Sequence, residues 1–262
     1  MRPPHPDRPR LRKREIVFAV AAGVVAAGGA ALLLSDDIGP GPGSIPDSEG
    51  PGERTYQVAE FERVSSTGPQ DLEIRFGEVS AVRAEGAVGR LEVLVEDGEL
   101  IVRPREGAGW DWPGFNATTV YVTVPRLTRV SLNGSGDISI DQVQGDRFAG
   151  VIEGWGGNID IDGLEVEEAE FTINGPGDIA AAGTARATRV TVNGPGEVQA
   201  GELRSQTAVI AVSGPGDVEL AVEQEADVRV DGPGEVDIDG PARCSISTSG
   251  PGTVNCGDQN GG

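Results

Sequence analysis

The 262-residue chain holds 40 Gly and 18 Pro, yet 37% of its residues are hydrophobic and stand in regular alternation; this describes a turn-dense β protein and excludes a low-complexity coil. Its formal net charge of −21 is unevenly divided: residues 1–14 hold six Arg/Lys and one Asp, leaving 15 basic against 41 acidic residues, a net of −26, for the rest. A body of that charge disfavours nucleic acid and anionic surfaces as partners, and the sole His, His5, lies outside it, which excludes Ser-His-Asp, Cys-His and His-ligated metal chemistry there.

In chain order, residues 1–14 form a basic arm without helical periodicity. Residues 15–34 contain nineteen uncharged positions, Ile16 to Leu34, which as a helix would span about 28 Å, close to the hydrocarbon thickness of a bilayer. The competing reading is a cleaved signal peptide, but the run exceeds the usual h-region and "SDDIGPG" follows it without a small-x-small cleavage site. The expectation is a single-pass anchor with the arm cytoplasmic and the acidic body periplasmic or extracellular. Residues 35–53 are dense in Gly and Pro and read as a spacer.

Residues 54–126 are irregular but alternate in the β manner. "FERVSSTGPQDLEIRFG" carries Gly68-Pro69 ahead of Leu72, Ile74 and Phe76, and "LEVLVEDGELIV" reads as two strands around Asp97-Gly98. The expectation is first coils plus a cap. Trp110, Trp112 and Phe115 share one loop, read as indoles covering an apolar end, with a sugar contact as the alternative.

From 127 to 262 the chain repeats itself. Corners open at Gly134, Gly154, Gly175, Gly194, Gly214, Gly232 and Gly250, at intervals of 20, 21, 19, 20, 18 and 18 residues. Five are Gly-Pro-Gly; the first is Gly-Ser-Gly, and the second carries Trp155 and one extra residue. Four and two residues before the corner stand apolar side chains such as Val190 and Val192, and four after it come Ile138, Ile179, Val198, Val218, Val236 and Val254, with polar residues between. Period two on both flanks means two short strands per rung, and a third segment near Val143, Leu164 and Leu203 completes a coil. The fold class is therefore all-β, a single-stranded parallel β-helix of about 18–21 residues per rung, in preference to an antiparallel sandwich, whose turns have no reason to match one another. In each corner the paired glycines, Gly134 and Gly136, Gly175 and Gly177, Gly194 and Gly196, Gly214 and Gly216, Gly232 and Gly234, Gly250 and Gly252, serve positive φ or close approach of stacked backbones.

The run "VAEFERVSSTGPQDLEIRFGEVSAVRAEG", with "LEVLVEDGELIVRP" and "VYVTVPRLTRVSLNGSGDISI" and the GxGD/E corners after it, resembles the bacterial head GIN domain family of putative auto-transporter adhesins over residues 54–256. The resemblance implies a right-handed β-helix exported to the envelope and an adhesin or surface scaffold role. It brings no catalytic or binding residues and no cofactor.

Three groups of residues stand out as candidate sites. Asp137, Asp178, Glu197, Asp217 and Glu235 fall three places after a corner Gly and stack into a carboxylate ladder, with Asn158 in the second coil and Thr253 in the last. Neighbours repel by about 0.9 kcal/mol even in water; hydration, salt and backbone N–H donors are expected to offset this in preference to Ca²⁺. Cys244 and Cys256 should both point inward in the final coil and, in an oxidising compartment, could form a disulfide; the alternative is two small core residues that never meet. Asp141, Asp160, Asp162 and Asp237 are the carboxylates a sugar-cleaving enzyme would use, but near-constant repeat lengths leave little chain for a cleft. The expected role is a non-enzymatic module with a protein or glycan partner; a polysaccharide-binding or polysaccharide-processing solenoid is the alternative.

Overall fold

The computed structural model describes residues 52–106 and 118–257. The arm, the apolar span and the loop of Trp110, Trp112 and Phe115 lie outside the described residues, and among those described no helix is long and apolar enough to cross a membrane. The account below concerns the compact unit within Pro46–Gly262.

That unit is a β-solenoid of about six turns. After β1 (Gly52–Tyr56), β2 (Arg63–Gly68) and β3 (Asp71–Phe76) meet at the Gly68-Pro69 corner. Then come β4 (Ala81–Gly86), β5 (Leu91–Glu96), β6 (Glu99–Pro104) and β7 (Thr119–Val124), with a 3-10 turn at Val88–Arg90 between β4 and β5. The regular coils run through β8 (Arg129–Gly134), β9 (Ile138–Ile140), β10 (Val143–Glu153), β11 (Asn158–Asn174), β12 (Asp178–Asn193), β13 (Glu197–Ser213) and β14 (Asp217–Asp231). The last coils hold β15 (Glu235–Asp239), β16 (Arg243–Ser249) and β17 (Thr253–Cys256).

From β8 onward every pairing between coils of the described residues is parallel, and on the strands beside the corners it keeps the repeat register, with Phe171 beside Val190, Val190 beside Ile210 and Ile210 beside Val228, while shifts such as that between Ala180 and Gly183 take up the differences in repeat length. These parallel ladders exclude the sandwich. The third face is present as well, with Val143, Leu164, Gly183 and Leu203 in one row. Because stacked coils place like positions one above another, the alternating Val and Ile of each strand become columns of a narrow core, and Val130, Phe171, Val190 and Val192 are fully buried. Phe171 is the one large ring in its column, and the position one coil below is Gly150; an added Cβ there would stand 3.4 Å from the Phe171 ring, so the missing side chain makes room for the ring.

The N-terminal region is not a run of consecutive coils. In space β2 lies between β6 and β8, and β3 between β7 and β9, so the first coil in sequence is held between two coils made later. Beyond β6 and β7 the direction reverses: β5 pairs antiparallel with β6, β4 with β7, and β1 with β4. These reversed strands are the cap. Residues 125–128 carry the chain from β7 past the trapped coil to β8, anchored where Thr128 N–H and hydroxyl both donate to Glu62 O. Folded structure also begins slightly earlier than the composition shift suggests, since Gly52 and Glu53 already pair with Gly86 and Glu85.

Candidate functional site at the corner edge

At the corners from Gly194 onward the two glycines have separate reasons to be glycine, whereas Gly175 and Gly177 both take positive φ. The first adopts positive φ from Gly154 onward, for example +122° at Gly194 and +127° at Gly232, a region that side chains with a Cβ avoid. Gly134 is the exception; there an added Cβ would come 2.0 Å from Gly68 O. The second glycine is constrained by its neighbour coil: an added Cβ would lie 2.6 Å from Gly196 O at Gly216 and 2.3 Å from Gly216 O at Gly234. The irregular second corner uses its extra residue to do the same, with Gly157 at φ +143° standing against Gly136 O.

Between these glycines the rings of Pro176, Pro195, Pro215, Pro233 and Pro251 are all exposed, and they stack into a proline column along one edge of the solenoid. Trp155 extends the column, with 86% of its surface open to solvent. An indole left that exposed is unusual for a side chain of its apolar area. Its signal in the sequence was the single aromatic residue where most corners carry Pro.

Beside the proline column runs the carboxylate ladder, and backbone donors hold much of it. Asp137 Oδ1 accepts the N–H of Asn158 and its side-chain Nδ2, both at 3.0 Å; Asn158 Oδ1 accepts from Asp178 N (3.3 Å), Asp178 Oδ1 from Glu197 N (3.2 Å), and Asp217 Oδ1 from Glu235 N (3.0 Å). Backbone carbonyls of the coil below accept along the same edge: Glu197 N donates also to Gly177 O, Asp217 N to Gly196 O and Thr253 N to Gly234 O. Asp71, whose Oδ1 accepts from Asp137 N at 3.0 Å, starts the ladder and is absent from the sequence-derived set, because the 66 residues between Gly68 and Gly134 hide its corner from a search at period twenty. A parallel bond runs outside it, from Asn193 Nδ2 to Asn174 Oδ1 (2.8 Å).

Of the four carboxylates considered for sugar chemistry, two are held by hydrogen bonds. Asp141 Oδ1 accepts the N–H of Phe76, and Asp237 Oδ1 accepts from Asn255 Nδ2. Asp160 stands among like charges: partial desolvation first, then the fields of Asp137, Asp162 and Asp178, hold its carboxyl above the usual carboxylate range. Among the described residues no group of three or more His, Cys, Asp or Glu side chains is placed to hold a metal ion. The third face bears a shallow open groove of about 460 Å³, bordered by Gln144, Glu165, Glu167, Thr184, Arg186 and Gln206, with Arg186 Nε 2.7 Å from Glu167 Oε2.

In the final coil Cys244 and Cys256 are joined by a disulfide, their Cα atoms 6.4 Å apart. They continue the inward columns of Ala226 and Ile238.

Residues 60–242, well over half of the chain, match a family model described as "Putative auto-transporter adhesin, head GIN domain". The chain belongs to this family. Solved structures share the head GIN domain fold: a "putative adhesin" of Bacteroides fragilis, 24% identical with a TM-score of 0.73, covers 81% of this chain and 99% of its own. A "putative lipid binding protein" of Parabacteroides distasonis (19%, TM-score 0.65, 80% and 98%) and a "putative adhesin" of Parabacteroides merdae (18%, 0.64, 79% and 96%) have the same fold. No curated protein matches the sequence.

Proposed function

We propose that this head GIN domain is a non-enzymatic, adhesin-like interaction module of the bacterial envelope, a right-handed coil held by an uncleaved Ile16–Leu34 anchor and spaced from the membrane by residues 35–53. Its contact surface is the corner edge, and its partner is a protein or glycan outside the cytoplasm. The observation that carries this reading is Trp155, 86% exposed at the head of the proline column and flanked by the Asp137–Asp178 ladder. A rigid indole and stacked pyrrolidine rings offer apolar contact at little cost in conformational entropy, and the carboxylates beside them select polar or cationic partners. The family and the adhesin-named structures support the coarse role.

The test is retention of the purified chain on arrays of glycans and envelope proteins, comparing wild type with Trp155→Ala. A loss of more than about tenfold in retention is expected for removal of a central aromatic contact. Equal retention of both proteins, or none for either, would discard the reading. The membrane part is checked separately: full-length protein retaining Met1 should stay in the membrane fraction after a high-salt wash.

A second reading, a polysaccharide-binding solenoid, has the third-face groove in its favour, because Gln144, Glu165, Thr184 and Gln206 present polar groups suited to sugar hydroxyls. Retention that survives Trp155→Ala but falls with Gln206→Ala would move the assignment there.

A further inference from the structure

The two ends of the solenoid are finished differently. At the N-terminal end the reversed strands β4 and β5, with β1 outside them, terminate the stack, and acidic side chains such as Glu53, Glu92 and Glu96 lie on these outer strands. At the other end, among the described residues, β16 pairs only with β14 and β17 only with β15, so each presents one unpaired backbone edge. Ile246 sits in the inward column above Val228 yet is 48% exposed, whereas Val228 is buried at 3%.

Charge separates this last coil from its neighbour. Residues 222–239 contain seven Asp or Glu and one Arg; residues 240–257 contain no Asp or Glu and one Arg, Arg243. The ladder position becomes Thr253, and the position of Asp237 becomes Asn255. The outward residues of β16 after Arg243 are Ser245, Ser247 and Ser249. Natural sheet edges are commonly blunted by charge, Pro or bulges; β16 has a single charge, Arg243 at its first position and turned to Glu225, and the rest of the strand, with a half-exposed Ile at its centre, has no charged residue. A disulfide across the same coil, Cys244 to Cys256, holds that edge in shape.

We infer that this end is a homotypic interface: a second copy of the chain joins through its own last coil, β16 pairing antiparallel with β16 about a two-fold axis near Ile246. Charge decides the occupant. A basic partner would be drawn to the carboxylate-rich coils rather than to the one coil without them. Two copies of a chain with net charge −21 repel, and can approach closely only where both surfaces are free of carboxylates. Ile246 lies at the middle of the seven residues Arg243–Ser249, so a two-fold there brings Ile246 against Ile246 and each Arg243 against Ser249, with no like-charged pair. This proposal is independent of the corner edge and would leave Trp155 open in both copies.

Sedimentation velocity on the full chain in mild detergent tests it, with Ile246→Asp as the interface variant and Val209→Asp as the control, since Val209 is 40% exposed on the lateral face. The expected result is a concentration-dependent dimer for wild type and Val209→Asp, and association weakened at least about tenfold in Ile246→Asp, with its disulfide intact by mass and its circular dichroism unchanged. A wild-type chain that remains monomeric overturns the inference, as does a dimer that persists in Ile246→Asp. So does a monomer that dimerises only when residues 258–262 are removed, which would assign the end to that segment.

Discussion

A carbonyl oxygen of the coil below determines what the second corner position can be. Replacing Gly234 by Ala would put a Cβ 2.3 Å from Gly216 O, and the strain can be relieved only by separating two hydrogen-bonded coils. Gly234→Ala should destabilise the domain by about 2–4 kcal/mol in denaturant titration, against a change within about 0.5 kcal/mol for Gly89→Ala, where nothing lies near the added methyl group. The ladder offers a milder test: Asp178→Ala leaves Glu197 N–H without its carboxylate acceptor and should cost about 1 kcal/mol by the same measurement, because that N–H keeps Gly177 O as a second acceptor. Asp160 behaves in the opposite sense from a paired carboxylate. Its folded-state pKa is raised, so between the ordinary carboxylate value and that raised value the folded state binds more protons than the unfolded chain, and stability falls as pH rises through the window. Asp160→Asn should therefore melt higher than wild type at about pH 7 and together with it at about pH 3, where both carry a neutral side chain.

At the scale of the element, the coil is the cooperative unit, and each coil is stabilised mainly by the two it touches. Among the described residues the final coil touches only one, which leaves its inward residues partly open and makes the disulfide its main local constraint. For a separation of 12 residues the loop-entropy contribution is about 3 kcal/mol. Reduction, or Cys244→Ser with Cys256→Ser, should abolish hydrogen-exchange protection in β16 and β17 while β11 to β13 keep theirs; uniform loss along the stack would show that the bond acts on the whole domain instead. The opposite end is secured without covalent chemistry. There β2 and β3 lie between β6–β7 and β8–β9, so the first coil cannot peel away before its neighbours open.

For the whole molecule, charge is the dominant unfavourable term that conditions can change. Like charges stacked at coil spacing repel by about 0.9 kcal/mol per neighbouring pair in water, and salt at about 0.15 M shortens their reach to roughly 8 Å. The melting temperature should rise with NaCl, and Ca²⁺ at matched ionic strength should add nothing further, since the ladder carboxylates are spaced one per coil and its members Asp137, Asp178 and Asp217 already accept N–H bonds. A strong rise at micromolar Ca²⁺ would instead reveal a cation site bridging the coils.

Taken by itself, the sequence determined the solenoid, because its evidence is periodic: Val190, Ile210 and Val228 recur at the same offset from a corner, and identical corners have a physical reason only when coils stack. It also placed Cys244 and Cys256 in inward columns by comparison with Ala226 and Ile238, and it placed the ladder from Asp137 to Glu235. Only the tertiary structure decided what depends on contacts outside the period. The insertion of β2–β3 between later coils, and with it the place of Asp71, is invisible to spacing because the neighbours in space are 66 residues apart in sequence. That Asp137, Asp178 and Asp217 each accept an N–H from the next coil turns on a distance that no pattern of residue types records. Which glycine is held by its own φ and which by a neighbour's carbonyl was likewise open until the coils were stacked, for a missing Cβ reads the same in either case.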